Sequence, residues 1–216
     1  MIRDANKEKE CVFCMRMVDN NEDFADCVFT DESTAQREGV LSTADIKSEA
    51  LNEVAPYGGI SIRGATELAV FPGEMRLNSQ GYCKILERCF VRFKNSAHQA
   101  YGKLMRDNAP VHKSAYTTAK LDSWNVEVVD WPPESPDLNP IELRRRAQVG
   151  NVAQLRDAIF AFWKALTPNV WAKYTKGIPR RMERVIEQNG QNIKELSEFV
   201  FTDNRLSNIV HLIVII

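Results

Sequence analysis

The reading of this chain turns on residues 131–142: Trp131-Pro132-Pro133-Glu134-Ser135-Pro136-Asp137-Leu138-Asn139-Pro140-Ile141-Glu142. Pro136 and Pro140 bracket a centre that cannot be regular, because proline fixes φ, removes a backbone donor and pushes the preceding residue out of the helical region. Pro140 suits the first turn of a helix, with Asn139 as its cap and Ile141, Glu142 and Leu143 carried on it. On the other side, Pro132-Pro133 halts an alternating to apolar run at 126–131, which reads as a strand.

Working outward, residues 101–106 read as a strand ending at Asp107-Asn108, and 113–124 as a helix. Residues 79–93 place Tyr82, Ile85, Leu86, Cys89, Phe90 and Phe93 on one helical face. Gly58-Gly59-Ile60-Ser61-Ile62-Arg63-Gly64 followed by 66–71 reads as a hairpin. Cys27-Val28-Phe29-Thr30 reads as a buried strand that stops at Asp31-Glu32-Ser33, and 7–20 as a helix. Residues 35–56 carry only a weak helical pattern at Ile46, Ala50, Leu51 and Val54. Beyond the quoted run, 152–166 is a strong amphipathic helix, and 170–188 gives one or two more around Gly177-Ile178-Pro179, closed by Gly190. This order predicts an α/β fold: a mixed sheet flanked by helices, with a helical C-terminal region.

The 216 residues carry 28 basic and 29 acidic side chains, a net charge of -1, which excludes nucleic-acid binding through bulk charge alone. The sum hides a gradient. Residues 1–60 hold 6 basic and 13 acidic groups, whereas 142–190 hold 10 basic and 4 acidic. That basic third reads either as solvated helix faces or as a surface for a polyanion. Five cysteines and a charged start predict a reduced, intracellular protein. Cys11-x-x-Cys14 lacks the second ligand pair a zinc site needs. The apolar end at 209–216 is too short to cross a bilayer, so no membrane partner is expected.

Three carboxylates fall where chemistry is often sited. Asp31 ends the first buried strand, Asp107 ends a later one, and Glu142 opens a helix after a proline-fixed turn. Taken singly, each reads as a surface group capping a turn. Together they would repel without a cation between them, and an oxygen-only set suits Mg2+ or Mn2+. Such a set can hold two ions about 3.5–4 Å apart, as in phosphoryl transfer.

The run 131–142 resembles the motif that carries the catalytic glutamate of the Tc/mariner transposases. Arg106-Asp107-Asn108-Ala109-Pro110-Val111-His112 resembles that family's second-aspartate motif, and the 34 residues between Asp107 and Glu142 match the spacing of one large branch. Phe29-Thr30-Asp31-Glu32-Ser33 resembles the first-aspartate motif, Gly58–Gly64 the central hairpin, and Ile178-Pro179-Arg180-Arg181-Met182 the C-terminal helix. The resemblance implies a ribonuclease-H-like fold and a metal-dependent DNA endonuclease and strand transferase. Asp31, Asp107 and Glu142 would be the ligands of Mg2+ or Mn2+, two ions in all, with His112 an accessory group and Asn108 and Asn139 shaping their turns. Arg144, Arg145, Arg146, Arg180 and Arg181 would face DNA, both transposon ends and target, in a nuclear protein that acts as a homodimer.

The organisation expected is an N-terminal helix or remnant linker at 1–24, a catalytic domain at 25–190 and a divergent tail at 191–216. Three departures from the family accompany this. The N-terminal helix-turn-helix units are expected to be missing, the stretch between Asp31 and Gly58 looks short of a sheet strand, and Glu142-Leu143 runs straight into Arg144-Arg145-Arg146, so about two helical turns are expected to be lost. They motivate an alternative, a catalytically inactive relic that serves as a DNA-binding or scaffold module; a host ribonuclease-H-like nuclease is a weaker third.

Overall fold

The computed structural model describes residues 3–32, 35–36, 53–72, 75–133, 135, 138–141, 152–165, 167–191 and 193. Cys27-Val28-Phe29 forms the first half of strand β1, Cys27–Glu32, and all three side chains are buried. A strand covered on both faces needs such an unbroken apolar run. Its antiparallel neighbour is β3, Glu53–Ser61, with Phe29 opposite Ile60, Asp31 opposite Gly58 and Glu32 opposite Tyr57. On its other side lies β6, Lys103–Met105, in parallel, with Phe29 opposite Met105. β2, Ala35–Gln36, pairs with the start of β3; β4, Gly64–Ala65, turns back on its end, and β5, Ala69–Pro72, pairs with Val54–Tyr57.

Successive strand side chains go to opposite faces, and two cores follow. Cys27, Phe29, Ile60 and Met105 belong to one, together with residues of helices α1 (Asp4–Asp19), α5 (Val152–Ala165), α6 (Pro168–Lys176) and α7 (Ile178–Glu187). Val28, Tyr57 and Leu104 belong to the other. That second core takes in α2 (Ser79–Leu86), a π-helical turn over Glu87–Val91 that continues it into α3 (Arg92–Ala97), and α4 (Ala115–Ser123). The mixed sheet flanked by helices is therefore present.

Two close approaches explain glycines. A Cβ on Gly58 would meet the Trp163 ring of α5 at 2.8 Å, so glycine lets that helix lie on the sheet. Gly190 has φ +74°, and a Cβ there would meet the Lys7 carbonyl at 2.6 Å, where the end of α7 abuts α1. Helix α1 is accordingly part of the body of the domain: Phe13 and Cys14 are buried in the first core, and Ile193 reaches the same core from beyond Gly190.

Several elements differ from the sequence reading. Val54, read as part of a weak helical pattern, is a buried strand residue of β3. Strand therefore occurs between Asp31 and Gly58, at 35–36 and from Glu53 on, where a loss of sheet was expected. The segment 126–131 forms no strand: among the described residues it pairs at a single bridge, Val128 to Leu104. Ile46, Ala50 and Leu51 lie outside the described residues.

Candidate active site

β1 and β6 run parallel and end at the same edge of the sheet. Asp31 stands two residues past Phe29 and Asp107 two past Met105, and Phe29 and Met105 are register partners. Extending that register brings the two aspartates to neighbouring strand ends, since paired strands lie about 4.8 Å apart. The ladder is closed off just before them by the Thr30 hydroxyl, which donates to the Met105 carbonyl at 2.8 Å. Asp31 goes to the face of Phe29 and Gly58; Glu32, the next residue, goes to the face of Tyr57.

Asp107 opens a tight loop. Its Oδ1 accepts from the Ala109 amide at 3.0 Å and from His112 Nδ1, and the His112 amide donates to the Ala109 carbonyl at 2.9 Å. The Thr117 hydroxyl then fastens the Val111 carbonyl at 2.7 Å, and Ser114 caps α4 by accepting from the Thr117 amide at 3.1 Å. The other nitrogen of His112, Nε2, bonds Glu32 Oε1 at 3.1 Å, and the ring stacks on Tyr82 of α2 with centroids 4.0 Å apart. Burial by itself would lower the basicity of this imidazole. Its bonds to Asp107 and Glu32 overcome that and lift its pKa from 6.5 to about 9, so it is the cation between two carboxylates. Burial would likewise raise the Asp107 carboxyl; the His112 bond, the Ala109 amide and the nearby Arg106 charge instead hold it below the ordinary carboxylate range.

The run 131–141 approaches from the other face. Trp131 packs edge-on against Phe13, Phe24 and Phe29, with centroids 5.2, 6.1 and 5.6 Å away, in the preferred geometry of aromatic pairs. Leu138 and Ile141 are wholly buried in the same core. The two asparagines do more than shape turns. Asn108 Nδ2 donates to the Trp131 carbonyl at 3.2 Å, tying the Asp107 loop to the elbow. Asn139 Nδ2 donates to Asp31 Oδ2 at 2.9 Å, while its Oδ1 accepts from the Ile141 amide at 3.3 Å. The residue before Glu142 is thus anchored to the first aspartate through a single side chain.

Of the residues singled out from sequence, the structure brings Asp31, Asp107, His112, Asn108 and Asn139 to one sheet edge. Glu142, Arg144, Arg145 and Arg146 lie outside the described residues, as does the expected start of the Glu142 helix past Ile141. Arg180 is exposed, and Arg181 is half-buried with Nη2 donating to the Tyr174 carbonyl at 2.9 Å. All five cysteines are free thiols. Among the described residues no group of three or more His, Cys, Asp or Glu stands ready to hold a metal, and no helix is long and apolar enough to cross a membrane. Glu32 is the site residue that sequence reasoning missed. Its one signal was adjacency to Asp31, because its partner lies 80 positions away.

Residues 26–154 match the family of DDE superfamily endonucleases. The chain belongs to that family. Within it, the chain is similar to the Tc1 transposase of Caenorhabditis elegans, 38% identical over 99 residues covering 41% of this chain and 36% of the relative. It is also similar to the Tcb2 transposase of Caenorhabditis briggsae, 32% identical over 117 residues covering 50% of this chain and 43% of the relative. The chain thus spans well under half the length of these relatives. Its fold is that of the Mos1 transposase catalytic domain, solved with raltegravir and Mg: TM-score 0.74 over 90% of this chain and 100% of that one, at 14% identity. A Mos1 mariner paired-end complex with Mn matches with TM-score 0.73 over 90% of this chain and 65% of that one, at 14% identity. The ribonuclease-H-like expectation holds. The relatives and the solved structures are transposases, so the chain matches a DDE transposase catalytic domain, and nothing in these matches favours the scaffold module.

Proposed function

We propose that this DDE domain cuts DNA strands at transposon ends and joins the freed 3′ hydroxyl to target DNA, with Asp31, Asp107 and Glu142 holding divalent Mg2+ or Mn2+, two ions in all. The observation that carries the reading is that Asp31 and Asp107 each follow by two residues the register partners Phe29 and Met105 of adjacent parallel strands, with Asn139, three residues before Glu142, bonded to Asp31. The residues fit such ions. Both ring nitrogens of His112 are engaged by carboxylates, so the donors left are oxygens, which suit hard cations. Cations held there supply charge neutralisation at a phosphodiester and acidify an attacking water or 3′ hydroxyl.

The chain's own residues do the placing. Asn139 orients the Asp31 carboxylate, His112 fixes Oδ1 of Asp107, and Trp131, Leu138 and Ile141 anchor the chain before Glu142 in the core. Because water attacks the phosphodiester in cutting and the freed 3′ hydroxyl attacks in joining, no Ser, Tyr or Cys nucleophile is needed, in keeping with the raised pKa of Cys89, pushed up to about 11 by burial. Arg144, Arg145, Arg146 and the exposed Arg180 and partly engaged Arg181 meet DNA phosphates. The Mos1 paired-end complex supports a homodimer as the working form, and the family resemblance makes the nucleus the expected site of action.

A Mn2+ titration tests this. Ions that bind only the folded chain raise its melting temperature, by about 2.7 kcal/mol of stabilisation at a hundred times Kd. The shift should vanish in Asp107→Ala, and nicking of supercoiled plasmid in Mn2+ should vanish in Glu142→Ala. A parent chain that shows neither shift nor nicking would contradict the reading.

A further inference from the structure

We propose that Glu32 is a positioning residue that, through His112, holds the Asp107 carboxylate in its metal-binding orientation; this rests on the reading of Asp107 as a ligand. Asp107 is poorly held by the sheet. β6 ends at Met105, and the aspartate side chain is 62% exposed. Both of its donors, the Ala109 amide and His112 Nδ1, fall on Oδ1, and Oδ2 has no protein donor among the described residues. A carboxylate pinned through one oxygen and open at the other is arranged to offer that other oxygen to a cation.

The pin is only as rigid as His112, and three things hold it. Its side chain is 6% exposed, its ring lies on Tyr82 with planes 28° apart, and Nε2 is bonded to Glu32. Tyr82 in turn meets Tyr57 edge-on at 6.0 Å, and Tyr57 is the register partner of Glu32 across β1 and β3. The line from β3 through Glu32 and His112 to Asp107 therefore transfers the rigidity of the sheet to a loop residue outside it. Neighbouring residues of one strand divide the work. Asp31 faces the elbow, and Glu32, on the opposite face, sets the other aspartate.

Mn2+ affinity, read from the dependence of melting temperature on ion concentration, tests this on the full chain. Partners that orient a ligand are typically worth 10–100-fold in metal affinity. Glu32→Ala should weaken Mn2+ binding by about that factor. Glu32→Asp, which keeps the charge but withdraws it from Nε2, should weaken it similarly. Glu32→Gln, which keeps an acceptor in reach of Nε2, should restore affinity close to the parent value. Each metal-free melting temperature reports whether the variant folds, and Glu32→Asp and Glu32→Gln decide the matter should Glu32→Ala fail to. Parent-like affinity in Glu32→Asp, while Asp107→Ala loses binding, would overturn the proposal alone. Loss in Glu32→Gln as complete as in Asp107→Ala would make Glu32 a ligand itself and also overturn it. A parent that binds no Mn2+ would overturn the metal site and this inference with it.

Discussion

On one face of the end of β1, Asp31 is held by the amide of Asn139, from an elbow whose own position depends on buried aromatic and aliphatic side chains. On the other face, Glu32 is held by His112, in a loop where charges do the holding. One half of the site is thus set by packing and by an amide donor that does not titrate, the other by an imidazolium between two carboxylates. Hydrophobic burial does not depend on protonation, and charge pairing does. The two halves should therefore fail under different conditions, although Asn108 links them through the Trp131 carbonyl.

The packed half is expected to give the largest single effect. Trp131→Ala removes a ring set among three phenylalanines, and truncating a buried aromatic costs about 3–5 kcal/mol. Urea denaturation should show that loss equally at pH 6 and pH 9. A loss that changed strongly between the two would break the division drawn here.

The charged half should carry the pH dependence. The pKa of His112 is raised in the fold, from 6.5 to about 9, so the folded chain binds that proton more tightly. Its stabilisation is whole below pH 6.5 and is lost as pH rises through about 9. The Asp107 carboxyl is lowered, so its share is whole above the ordinary 3.8 and is lost on acidification through its folded value. The alkaline loss is at most about 3.5 kcal/mol, at roughly 1.4 kcal/mol per pKa unit. Denaturation of the metal-free chain across pH 6–10 should show it, and His112→Asn should flatten the curve. Asn139→Ala sharpens the contrast: it should lower stability by about 1–3 kcal/mol for the bonds it removes yet keep the full slope. A slope that survived in His112→Asn would contradict this assignment.

Much of this was legible in the sequence, for local reasons. Prolines and asparagines restrict 131–141 so strongly that an elbow followed from residue types alone, and the apolar run Cys27-Val28-Phe29 announced a doubly covered strand. The resemblance of three motifs to one family then tied the aspartates together. What stayed hidden depends on distant partners. Nothing near Glu32 announces a histidine on another segment, Val54 reads as helical until β5 pairs with it, and α1 shows its place in the core only once Gly190 brings α7 against it. The strand read at 126–131 is apolar enough, but β6 is only three residues long and offers it one bridge.

The most direct test is crystallographic: anomalous scattering from Mn2+ bound to the full chain. The account predicts manganese peaks at the shared end of β1 and β6, within about 2–2.5 Å of carboxylate oxygens of Asp31 and Asp107, with Glu142 completing the ligand set. Manganese bound only elsewhere, or Asp31 and Asp107 ligating no ion at saturating concentration, would contradict it.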